Sequence, residues 1–158
     1  MEYECTIDLP YPSIQTECKQ KEYAYAMLSN VGGSNSEMSA VSLYFYNSVL
    51  LNQDYAHCFH QISIVEMHHL EIFASLAHHM GLDPRLWSRG RYWTPAYNHY
   101  PTKLKQVIEN SLQAEKAAIR KYTKQAETIK DENITAILER IILDEQRHVE
   151  IFQSMLSC

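Results

Sequence analysis

One eight-residue pattern occurs twice in this chain, and it constrains the fold more than any other feature. Glu66-Met-His-His-Leu-Glu-Ile-Phe73 and Glu145-Gln-Arg-His-Val-Glu-Ile-Phe152 both read E-x-x-H-[L/V]-E-I-F. On an α-helix a Glu and a His three residues apart share a face. Phe73 and Phe152 continue that face, followed by Leu76 and Met155. The Glu and His of each copy therefore lie on the apolar side, which a packed helix turns inward. A carboxylate buried there is costly unless a cation or a strong hydrogen-bond network compensates it. Two such turns point to two half-sites that meet. The physical candidate is a dinuclear metal centre inside a helix bundle.

The rest of the chain has the composition of one all-α domain. Its 158 residues can bury a substantial core, and 46% of them are apolar. Four glycines and five prolines favour long helices over many short strands. A net charge of −5 without a basic run argues against nucleic acid as a partner. The acidic N-terminus, Met1-Glu-Tyr-Glu-Cys5, has no secretory h-region, and no apolar run reaches the length of a membrane span. Cys5, Cys18, Cys58 and Cys158 form no CxxC pair and read as scattered thiols of a cytoplasmic protein.

Punctuation divides the chain into an N-terminal arm over 1–17, a first hairpin over 18–80, a crossover over 81–101 and a second hairpin over 102–157. Pro10 and Pro12 keep the arm irregular. Helical spacing begins near Cys18 and runs to Val31, where Gly32-Gly33-Ser-Asn-Ser36 reads as a break, a kink or a fresh N-cap. Glu37 to Leu51 is periodic again, and Asn52-Gln53-Asp54 is a turn. The next helix is expected from about Tyr55 to Met80, with Gly81 closing it. The crossover holds three prolines and five aromatic residues and is expected to pack, with a dimer contact as a second use. A third helix follows from Thr102 to about Ile129, with Leu104, Ile108, Leu112, Glu115, Ile119, Tyr122 and Ala126 inward. After the turn at Lys130–Asn133, the fourth runs from Ile134 to about Leu156.

The two hairpins share their spacing. Glu37 lies 15 residues before Asn52, and Glu66 lies 12 after Asp54; Glu115 lies 15 before Lys130, and Glu145 lies 12 after Asn133. At ~1.5 Å per residue, each Glu and its partner Glu-x-x-His stand at one level, roughly 18–22 Å from the turn. A crossover long enough to travel the whole bundle makes the second and third helices parallel and puts the turns at opposite ends. Both levels then coincide at the middle. The candidate site is therefore Glu37, Glu66, His69, Glu115, Glu145 and His148. Four carboxylates balance two divalent cations, and an oxygen-rich site with one imidazole per metal suits iron or manganese, with zinc also compatible with these ligand types.

With these residues in place, the chain resembles the ferritin-like superfamily, and within it the dimetal-carboxylate domain of rubrerythrin, from about Lys19 to Leu156. The resemblance implies a four-helix bundle with a long crossover between helices 2 and 3. It implies that Glu66 and Glu145 bridge two metals, that Glu37 and Glu115 are terminal ligands, and that His69 and His148 bind one metal each. It also implies that Asp144 hydrogen-bonds a ligand histidine of the other hairpin, whereas Val65 stands at the equivalent place in the first motif. Tyr44, seven residues after Glu37, matches a tyrosine near the metals. Two departures accompany it: Ala118 replaces an additional carboxylate of rubrerythrin, and no rubredoxin domain follows Cys158.

The implied activity is that of a diiron oxidoreductase, which reduces hydrogen peroxide or activates dioxygen with electrons from an external donor protein. A homodimer is the expected assembly. A dimanganese, catalase-like enzyme is the alternative, and ferritin-like iron storage the next. Glu71, Glu150 and His68 recur in or beside the motifs but face elsewhere and read as solvent-facing residues. His57, His60, His78, His79 and His99 read as polar surface, and Tyr44 and Tyr122 as core tyrosines with a satisfied hydroxyl.

Overall fold

The computed structural model describes residues 3–158. Long helices dominate: α1 (Lys21–Gly32), α2 (Glu37–Leu50), α3 (Gln53–His79), α4 (Leu104–Thr128) and α5 (Glu132–Ser157). α1 and α2 together form the first rod of a four-rod, ferritin-like bundle. α2 pairs with α3, α4 pairs with α5, and α1 packs on α3.

The chain's own caps set the helix ends. Ser36 starts α2, its side chain accepting from the Ser39 amide. Asp131 starts α5, accepting from the amides of Asn133 and Ile134. α3 and α5 begin two residues earlier than the turn signals implied: Gln53 rather than Tyr55, and Glu132 rather than Ile134. α1 begins later than expected, at Lys21 rather than Cys18. Gly81 closes α3 with φ +96°, and the Leu82 amide reaches back to the Ala77 carbonyl at 3.0 Å.

The Gly32-Gly33 stretch is a true break. Lys121 spans it, donating to the carbonyls of Ser29 and Asn35, both at 3.0 Å. Gly32 is required by packing: a Cβ there would stand 2.3 Å from the backbone nitrogen of Trp87. Trp87–Ser88 and Arg91–Tyr92 form a small antiparallel ribbon (β1 and β2) in the crossover, followed by a turn of 3-10 helix at Pro95–Tyr97. The crossover packs through Trp87 and through Trp93, whose indole donates to Ser39. Tyr92, Tyr97 and Tyr100 are exposed. Leu104, expected inward, is exposed at the first turn of α4, and Val107 and Ile108 take over the buried face.

The apolar core is in two parts. One joins Met27, Leu28, Phe73, Leu76, Tyr122, Ile134, Ile137 and Ile141. The other joins Leu43, Tyr44, Phe59, Ile62, Val107, Ile108, Phe152 and Met155. The start of α3 shares a cluster with the start of α4, and their ends share the other, so the two helices run parallel. α5 runs against them. A polar layer lies between the clusters, at the level of the repeated motif.

Candidate metal centre

All six side chains singled out by the motif spacing meet in this layer. Glu37, Glu66, His69 and Glu145 bring one ligand atom each within 4.8 Å of one another; Glu66, Glu115, Glu145 and His148 do the same. The clusters share Glu66 and Glu145. His69 Nδ1 lies 2.9 Å from Glu66 Oε2 and 3.2 Å from Glu145 Oε1. His148 Nδ1 lies 3.1 Å from Glu145 Oε2 and 3.2 Å from Glu66 Oε1. Each histidine thus faces one oxygen of each shared carboxylate. Glu37 and Glu115 stand at the flanks, 3.9 Å from His69 Nδ1 and 3.7 Å from His148 Nδ1. Every member is at most 2% exposed.

The outer nitrogen of each imidazole is also engaged. His69 Nε2 lies 3.1 Å from Asp144 Oδ2. Asp144 accepts further bonds from the Tyr11 hydroxyl at 2.5 Å, the Ile7 amide at 2.8 Å and the Thr6 hydroxyl at 3.0 Å. Arg140 pairs with it at 3.0 Å and lies over the Tyr11 ring. Burial raises the Asp144 carboxyl, but the bonds from His69, Tyr11 and the Ile7 amide outweigh it and hold the group well below its ordinary range. His148 Nε2 lies 2.8 Å from the Cys5 carbonyl. A carbonyl only accepts, so Nε2 carries the hydrogen and Nδ1 is free to bind a cation.

The sequence held no signal for this use of the N-terminal arm, expected only to be irregular. Its backbone supplies the support that Val65 cannot. Arg140 donates to the carbonyls of Ile7 and Leu9, fixing the arm across α5. Cys5 and Cys58, read as scattered thiols, lie side by side.

Two tyrosines link the halves crosswise. The Tyr44 hydroxyl donates to Glu115, and the Tyr122 hydroxyl donates to Glu37. The signal was available in the spacing: Tyr122 lies seven residues after Glu115, as Tyr44 lies seven after Glu37. The motif phenylalanines repeat the symmetry, Phe73 packing on Tyr122 and Phe152 on Tyr44, with ring centroids 5.2 and 5.8 Å apart. Glu71, Glu150, His57, His60, His68, His78, His79 and His99 are exposed, away from the cluster.

The electrostatics call for cations. Burial and the charges of Glu66 and Glu145 push the Glu37 carboxyl well above its ordinary range. Burial, with the charge of Glu145, pushes Glu115 up to about 7. Burial opposes charge on both imidazoles, yet the surrounding carboxylates outweigh it and hold them well above the ordinary range. Among the described residues no lysine or arginine pairs with any of the four glutamates. Glu66 Oε1 is buried without a hydrogen-bond donor. A carboxylate oxygen left this way beside an imidazole nitrogen fits a bound cation, which would take the place of the imidazole proton. A cavity of about 200 Å³ reaches the cluster, its lining running from exposed Asn35 and His99 to Glu37, Glu66, Glu115 and Glu145.

The family model described as Rubrerythrin matches residues 33–156 of this chain. No curated protein matches it. Among solved structures, the manganese catalase KatB from Anabaena superposes with a TM-score of 0.86 at 21% identity, over 99% of this chain and 80% of that one. A dodecameric thioferritin, the bacterioferritin-related protein from Bacteroides fragilis, superposes with a TM-score of 0.68 at 21% identity, over 87% of this chain and 86% of that one. At these identities the two structures speak to the fold.

Proposed function

Because this chain belongs to the rubrerythrin family, we propose that it is a dimetal-carboxylate oxidoreductase that consumes hydrogen peroxide. The observation that carries the reading is the pair of buried clusters sharing Glu66 and Glu145 at the inner end of a small cavity. Glu37, Glu66, His69 and Glu145 would hold one transition-metal ion and Glu66, Glu115, Glu145 and His148 the other. Four carboxylates neutralise two divalent cations, so the filled layer carries no net charge. A bound metal pair supplies two-electron redox chemistry and stabilises charge on both peroxide oxygens as their bond breaks.

The protein's part is to fix the donors and to limit what enters. Asp144 and the Cys5 carbonyl aim the imidazoles. Burial and the Glu115 and Glu37 charges keep the hydroxyls of Tyr44 and Tyr122 protonated, so they remain donors to the flanking carboxylates. The cavity suits a molecule as small as peroxide.

Two electron routes are open to such a centre. In disproportionation, two peroxide molecules yield two waters and one dioxygen, and no donor is needed. In reduction, one peroxide takes two electrons and two protons and yields two waters, and a donor protein must return the electrons. Ala118 lines the cavity beside Glu37 and Glu115 and adds no carboxylate to the six-residue set. A set whose flanking carboxylates and imidazoles are each held by a fixed partner suits a manganese pair cycling with peroxide alone, the reaction that the name of the Anabaena relative describes. Donor-dependent reduction at an iron pair is the second reading, favoured by the family match.

Oxygen evolution from peroxide without reductant, on separately manganese-loaded and iron-loaded protein, tests the choice. Disproportionation predicts rapid evolution by the manganese form. Peroxide consumption by the iron form only when a donor is added, with the manganese form inert, would establish the second reading instead. No peroxide consumption by either form would overturn both.

A further inference from the structure

Cys5 of the N-terminal arm and Cys58 of α3 are 53 positions apart in sequence, buried, and 4.0 Å apart at their sulfurs. Both are free thiols. A disulfide has its sulfurs about 2.05 Å apart, so roughly 2 Å of approach closes one. One side of the pair belongs to irregular backbone rather than to a helix, so the approach needs no helix to unwind. Cys5 also lines a cavity of about 300 Å³ between the arm and α3, together with Thr6, Tyr11, Gln61, Val65 and His68. His68 is exposed and Gln61 half-buried, so this cavity opens to solvent. It is separate from the cavity that reaches the carboxylates. A small oxidant can therefore reach the Cys5 residue without passing the metal centre.

We propose that Cys5 and Cys58 form a peroxide-responsive dithiol that closes into a disulfide staple between the N-terminal arm and α3. The Cys5 sulfur attacks one peroxide oxygen, the O–O bond breaks, and the departing oxygen leaves as water with the thiol proton. The sulfenic acid formed at Cys5 is then attacked by the Cys58 sulfur. The S–O bond breaks, and a second water leaves with the Cys58 proton. Two thiols lose two electrons, and one peroxide gains them.

The staple lies behind the metal centre, because the same Cys5 residue offers its carbonyl to His148 Nε2. Closing it ties the arm's support of His148 to α3. The staple itself rests on sulfur geometry and not on the dimetal reading, so either can fail alone.

The test treats the full-length chain with one equivalent of hydrogen peroxide, as purified and in the presence of a chelator, then blocks free thiols and maps peptides without reduction. The expected product is a Cys5–Cys58 linked peptide within one chain, formed in the chelator-treated sample, where no metal centre competes for the peroxide, and reversed by dithiothreitol. In Cys58→Ser the link is absent, and Cys5 is trapped by a sulfenic-acid reagent. Hydrogen exchange over residues 6–11 slows on oxidation of the wild type and not of Cys58→Ser. Recovery of both cysteines as blocked thiols, at doses that oxidise exposed Cys18 and Cys158, would overturn the proposal. So would links that join only different chains.

Discussion

At the scale of single residues, the centre is held by pairs with divided work. Each histidine turns Nδ1 inward to Glu66 and Glu145 and Nε2 outward to a fixed acceptor. The two acceptors differ: a carboxylate behind His69, a backbone carbonyl behind His148. A carboxylate in that place would make His69 the more basic ligand of a bound metal. Asp144→Asn keeps the shape and removes the charge, and the expected cost is a fall of about 10- to 100-fold in metal affinity. Competition against a chelator of known affinity measures it; unchanged affinity would show that Asp144 serves only to anchor the arm. The tyrosines offer a gentler check. Tyr44→Phe and Tyr122→Phe each remove a hydroxyl from a buried carboxylate and are expected to lower stability by about 1–3 kcal/mol in the metal-free chain. Chemical denaturation reads this directly, and a shift below about 0.5 kcal/mol would mean that the carboxylates are satisfied in other ways.

At the scale of elements, the hairpins were legible because their periodicity and turn residues agree. The Glu and Glu-x-x-His levels followed from counting along a rigid helix, which is why all six candidate ligands converge. The arm was not legible. It acts through the carbonyls of Cys5, Ile7 and Leu9, and a backbone carbonyl has no residue identity to read. Leu104 misled because helical spacing does not say where a helix first meets its neighbour. The Gly32-Gly33 break could be seen but not explained, since the reason lies in the distant crossover. Gly32 admits the Trp87 backbone where a methyl group cannot fit. Gly32→Ala is therefore expected to push the crossover off the first rod and to cost about 1–3 kcal/mol. An unfolding midpoint equal to that of the wild type would show that the ribbon can move aside freely.

At the scale of the whole molecule, two apolar clusters enclose a layer of carboxylates and imidazoles. Without metal, that layer ties folding to protons. Glu115 titrates at about 7 in the fold, against roughly 4.3 for an unperturbed Glu, and Glu37 is raised as well. Over that window the metal-free fold binds protons that the unfolded chain has released, so its stability falls as pH rises. The raised histidines act with the same sign, their contribution being complete below about 6.5 and lost as pH climbs through their folded values. Metal ions compete with these protons, so metal affinity is expected to rise with pH. The thermal midpoint of the metal-free chain should therefore be lower at pH 8 than at pH 6, and added metal should raise it more at pH 8. Calorimetry at both values, with and without manganese or iron, would contradict the account if the metal-induced shift were larger at pH 6.

The central claim is that Glu66 and Glu145 serve both metal positions at once. Elemental analysis of metal-loaded protein tests it most directly, comparing the wild type with Glu66→Ala, Glu145→Ala and Glu37→Ala. The account predicts two transition-metal ions per wild-type chain, loss of both in either shared-carboxylate variant, and retention of at least one in Glu37→Ala. A single fully occupied ion in the wild type, or normal loading in Glu66→Ala and Glu145→Ala, would contradict it.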